Sequence, residues 1–70
     1  MPLAMVPEGK EFVIRRISGN DKVRRHLASL GILEGRTLEV IQQSPSGTVI
    51  LINGTRLALN SEVARTIMVG

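Results

Sequence analysis

The sequence has no cysteine, tryptophan or tyrosine, and it has a single phenylalanine and a single histidine. Each of these absences removes a class of function. Without cysteine there is no disulfide and no thiolate metal site. One imidazole, His26, cannot build a multi-histidine metal cage and leaves little with which to assemble a Ser-His-Asp triad. With Phe12 as the sole aromatic, there is no set of rings on which nucleic-acid bases could stack. The longest aliphatic run, residues 49–52, falls far short of the roughly 20 residues that a membrane span requires. Residues 1–9 carry two prolines and no basic start, so they do not read as a signal peptide. A cytoplasmic protein without membrane insertion is the expectation.

What remains suits a small packed domain. The chain has 70 residues, 43% of them apolar, and its core must be built from Val, Ile and Leu. A domain of this length removes only about 60% of its unfolded surface from water, so few apolar residues can be wasted. One domain over residues 1–70 is expected.

The charge is uneven. Arg15, Arg16, Lys22, Arg24 and Arg25 lie within twelve residues that contain Asp21 as their only acid. The remaining cations and carboxylates nearly balance. A local basic patch attracts nucleic acid, acidic membrane or an acidic partner, or it is simply a solvated face.

Periodicity and turn chemistry divide the chain. Gly9 ends a turn-like entry, and Glu11–Ile17 reads as a β-branched strand. Ser18, paired with Asp21, or Asn20 alone would cap the helix that follows. Residues 22–30 form that helix, with Val23, Leu27 and Leu30 on one face and Gly31 as its left-handed stop. Strands are expected at 36–43, 48–53, Thr55–Asn60 and 66–69, with Asn53-Gly54 as a two-residue hairpin turn. Residues 61–65 would make one helical turn capped by Ser61. The pattern predicts a mostly β fold. It is a small SH3-like barrel of five strands, with a helix inserted between the first two and a helical turn before the last. Closing the barrel would remove its exposed edges.

No residue set stands out as catalytic, and the protein is expected not to be an enzyme. Gly31 and Gly35 are four apart, but Arg36-Thr37 follows where a P-loop needs Lys-Ser/Thr. Asp21 and His26 lie about 140° apart around a helix, so they do not converge on a metal. No cofactor and no metal ligand set is expected. The arginines could hold phosphates, but without stacking rings no specific nucleic-acid partner is expected. Ile32 and Leu33 are two large aliphatics in a turn, serving either as core beneath the loop or as a contact for a partner.

Residues 24–35, RRHLASLGILEG, resemble the signature of FeoA proteins, the small cytoplasmic accessories of bacterial ferrous-iron uptake. The matching positions are Arg24, Leu27, Ser29, Leu30, Gly31, Ile32 and Gly35. Gly9, the Ser44-Pro45-Ser46-Gly47 loop, Ala64 and Ile67 extend the resemblance over residues 6–69. Glu34 departs from the usual proline, Asn60 from a common basic residue and Thr48 from a frequent proline. The resemblance implies an SH3-like domain that binds the cytoplasmic part of a GTPase-linked ferrous-iron permease, FeoB, and it leaves self-association and metal binding open. A metal-responsive regulatory module and a nucleic-acid-binding barrel are the alternatives. The basic residues Arg15, Arg16, Arg24 and Arg25, with Ile32 and Leu33, are the candidate partner surface. Gly9, Leu27, Leu30, Gly31, Gly35, Ala64 and Ile67 are expected to serve packing and turns.

Overall fold

A computed structural model describes residues 1–70. A short 3-10 helix (Leu3–Met5) precedes strand β1 (Glu11–Ile17), helix α1 (Asp21–Ser29) and strand β2 (Thr37–Ser44). Strand β3 (Gly47–Ile52), strand β4 (Thr55–Asn60), helix α2 (Ser61–Thr66) and strand β5 (Ile67–Val69) complete the chain. The strands form one antiparallel sheet in the order β4-β3-β2-β1-β5. This is the mostly β architecture predicted from the sequence, with a helix between the first two strands.

The turns explain the meander. Asn53 and Gly54 both take positive φ, 53° and 74°, which suits a two-residue turn matching the twist of β3 and β4. Gly47, at the start of β3, has a different reason to be glycine. A Cβ there would collide with the Leu59 carbonyl oxygen across the ladder, so the two backbones can approach only because the side chain is missing. Register shifts at Arg15 in β1 and Ile41 in β2 bend the sheet around its apolar face. That face buries Ile14, Ile17, Leu38, Val40, Ile50, Ile52, Leu59, Ile67 and Val69 together with Leu3, Val6, Leu27 and Ile32.

Four expectations are corrected. Residues 1–9 are more than a turn, because Leu3 and Val6 are core residues on the 3-10 helix, which packs against α2, β3 and β5. Gln43 holds this segment in place. Its amide nitrogen donates to the Leu3 and Val6 carbonyls (2.8 and 2.9 Å), while its oxygen accepts from Thr48 Oγ1 at 2.6 Å. Thr48 is the only buried polar residue.

Second, α2 is capped by Asn60, not Ser61: Asn60 Oδ1 accepts from the Val63 amide at 2.9 Å. Third, α1 stops at Ser29, which leaves Leu30 outside the docked stripe and 36% exposed. Fourth, the sheet does not close. The edge of β5 is covered by the chain's own start, through a bridge between Pro2 and Met68 and a Val69 amide bond to the Met1 carbonyl (2.7 Å). Strand β4 keeps an open edge.

Candidate functional site

The basic helix α1 and the turn after it form one unit. Asn20 caps the helix, its Oδ1 accepting from the Val23 amide at 2.9 Å, so of the two capping options in the sequence the lone asparagine is used. At the other end the Gly31 amide donates to the Ala28 carbonyl and the Ile32 amide to the Leu27 carbonyl, both at 2.9 Å. Gly31 has φ +86°. Together these bonds make a Schellman motif, whose usual apolar contact pairs the residue after the glycine with the helix residue that accepts its bond. Here those residues are Ile32 and Leu27, and both are buried.

The motif decides which aliphatics face out. It drives Ile32 into the core, at 0% exposure, and releases Leu33, at 41%. A second turn then fixes Leu33. The Arg36 amide bonds the Leu33 carbonyl (3.1 Å) across Gly35, whose φ is +90°. Gly35 and Arg36 are in turn tied to Ile14 of β1 by two bonds of 2.8 Å. The hairpin tip closes over this unit, because a Cβ on Gly31 would strike the Asn53 side-chain amide, whose Oδ1 accepts from Arg36 Nη1 at 3.3 Å.

Between α1 and this turn runs a groove of about 620 Å³. Arg24, Arg25 and Ala28 line its helical side, Leu33 and Glu34 face them, and Ile17 and Ile32 form the floor, with Asp21 at one end. Two of the predicted arginines are therefore gathered beside Leu33. Ile32 supports the groove from within and cannot be a contact residue in its own right, since its burial under the helix end removes it from the surface. Arg15 and Arg16 are exposed on β1, at the bulge and opposite Met68, and they do not line the groove.

Asp21 and Glu34 were not among the residues expected at the partner surface. They make the groove mixed in charge, not uniformly basic, and Glu34 Oε2 also reaches the Ile17 amide at 3.4 Å. Only the folded chain brings Glu34 opposite the helix, so its spacing from Arg24 carries no signal.

The remaining motif residues sit in turns or in the core. Gly9, at φ +82°, turns the chain into β1 and bonds the Val40 carbonyl at 2.7 Å. Ala64 and Ile67 are fully buried. His26 is exposed, and no group of three or more His, Cys, Asp or Glu side chains is gathered where it could hold a metal ion.

The FeoA domain pattern matches residues 1–70. This chain belongs to the FeoA family. A relative in Methanocaldococcus jannaschii, provisionally named Fe(2+) transport protein A, is 32% identical over 68 residues, covering 97% of this chain and 83% of its own. The crystal structure of an iron uptake regulatory protein, FeoA, superposes with a TM-score of 0.91 at 30% identity, over 99% of this chain and 93% of that one. Stenotrophomonas maltophilia FeoA, crystallised with zinc and described as an SH3-domain protein, gives a TM-score of 0.85 at 24% identity. The match covers 100% of this chain and 89% of that one, and at this identity it shows the fold alone. The SH3-like arrangement expected from the strand pattern is thus the fold of known FeoA proteins. The family is that of ferrous-iron transport accessory proteins.

Proposed function

We propose that this FeoA protein is a non-enzymatic accessory of ferrous-iron transport, which binds the cytoplasmic part of a GTPase-linked permease of the FeoB type through the groove beside α1. One observation carries the proposal: Leu33 is held exposed by two glycine turns, next to Arg24 and Arg25 and above an apolar floor. Of the arginine side chains, only that of Arg36 is engaged in a hydrogen bond within the chain, which leaves the guanidinium groups of Arg24 and Arg25 free to meet a partner. An apolar centre supplies most of the affinity at such a surface, while charges at its rim steer the encounter and select the partner.

The test is a binding titration of the intact chain against the purified cytoplasmic part of the permease, with rates resolved. Reversing Arg24 and Arg25 to Glu is expected to slow association by about tenfold at low salt and to flatten its salt dependence. Unchanged rates would mean that the basic face is only a solvated surface. Leu33→Ser is expected to weaken the complex roughly tenfold, about 1.4 kcal/mol, mainly through faster dissociation. Because Leu33 is already partly in water, the unfolding midpoint should barely move, and a large loss of stability would contradict its assignment to the partner surface.

A further inference from the structure

The two edges of the sheet are treated differently. The chain's own start covers β5, but nothing covers β4. Natural sheets blunt an open edge with proline, a bulge or several charges. Strand β4 has none of these. Its six residues pair with β3 without a register shift, it contains no proline, and Arg56 is its one charge.

The hairpin fixes which backbone groups face outward. In a two-residue turn the flanking pair, Ile52 and Thr55, exchanges hydrogen bonds, and the pattern then alternates along the ladder. The amides and carbonyls of Thr55, Leu57 and Leu59 therefore face β3, while those of Arg56 and Ala58 face away. Arg56 and Ala58 are both exposed, and neither backbone appears among the bonds made outside the regular elements.

We infer that β4 is a self-association edge: a second copy of this chain pairs antiparallel with it, about a two-fold axis at Leu57. The register is self-complementary. Arg56 of one copy falls opposite Ala58 of the other and exchanges both hydrogen bonds with it, and the same pair repeats across the axis. No arginine faces an arginine, so the like-charge penalty of direct opposition is avoided. The two Leu57 side chains, each half-buried against its own core, meet at the axis as a close non-hydrogen-bonded pair.

Each chain offers only one free edge. Pairing therefore closes at a dimer and does not propagate into a fibre. A contact along one short strand lies below the area of a standard stable interface, so the dimer is weak, with a dissociation constant of about 10–100 μM. The groove beside α1 is on a different part of the surface, so this inference stands or falls independently of transporter binding.

The test is sedimentation of the intact chain from about 5 μM to about 1 mM, a range that brackets the expected constant. The mass is expected to rise from 7.6 kDa towards twice that value. Ala58→Pro removes an outward amide and no bond to β3, a placement that edge strands tolerate, so the variant should stay folded and monomeric throughout. A wild-type chain that remains monomeric to the highest concentration overturns the inference, as does an Ala58→Pro variant that dimerises as well as wild type. If that variant fails to fold, amide exchange on the wild type decides. The Arg56 and Ala58 amides should slow by about five- to ninefold between the lowest and highest concentrations, as the monomer fraction falls, while Leu57 and Leu59 stay protected at both. If Arg56 and Ala58 still exchange fast in the dimer, another surface is responsible.

Discussion

Leu27→Ala is expected to cost about 2–5 kcal/mol, the range for truncating a fully buried leucine. A domain of this length has only about 4–10 kcal/mol in total, so the variant should lie close to unfolding at room temperature. The large effect follows from the position of Leu27. It is the one residue of α1 in the buried core, and it is also where the helix end and the following loop lock together. Its carbonyl accepts from both the Leu30 and Ile32 amides, and its side chain packs with Ile32. The truncation leaves a cavity under the Schellman turn and loosens the groove above it. Urea unfolding with the slope held constant would measure the cost. A change below about 0.5 kcal/mol would mean that α1 is not docked through this residue.

Gln43→Leu is expected to destabilise the protein by about 2–4 kcal/mol, although it replaces a polar side chain with an apolar one of similar size in a largely apolar setting. Gln43 uses both ends of its amide at once. The change strands the Val6 carbonyl and the hydroxyl of buried Thr48, and it leaves the Leu3 carbonyl with only its long bond from the Val6 amide. A buried polar group left without a partner costs about 1–3 kcal/mol, while removing both partners of a bond can be nearly neutral. Gln43→Leu combined with Thr48→Val should therefore lose less than the sum of the two single changes, by about 1 kcal/mol. For a domain of this size each kcal/mol corresponds to about 4–8 °C of melting temperature, so calorimetry resolves the difference. Strict additivity would mean that Thr48 and Gln43 do not act as a pair.

The parts of this fold that could be read from the sequence depend on local rules. The bounds of β1 and β4 follow from β-branched and alternating residues between turn signals, and Asn53-Gly54 can form little besides a tight hairpin. Gly31 was legible as a stop, but the consequence of its geometry was not. A Schellman turn reverses the order of burial after the helix, so Leu30, in helical phase with Leu27, turns outward while Ile32 turns in. The 3-10 helix was missed because three residues between prolines show no periodicity, and its burial depends on Gln43, forty residues away at the contact to Leu3. The groove was half legible. Arg24 and Arg25 are adjacent in sequence and Leu33 is close by, whereas Glu34 joins them only through the turn bonded to Ile14. Arg15 and Arg16 share the excess charge but not the place, because strand β1 carries them away from the helix.

The sheet order also sets the entropic cost of each pairing. β2, β3 and β4 are consecutive and joined by tight turns, so each pairing closes a short loop and costs little chain entropy. β5 pairs with β1, and the Val69 amide with the Met1 carbonyl, only when the two ends of the chain meet. By chain entropy the three-stranded meander is thus the cheapest part to close, and the seam between the ends the most expensive. The glycine turns that hold Leu33 are tied to Ile14, which also pairs with Val69 at that seam. When the ends part, Ile14 loses its partner Val69 but keeps its bonds to Gly35 and Arg36, so a disturbance at the seam lies one residue from the groove and three strands from the free edge of β4.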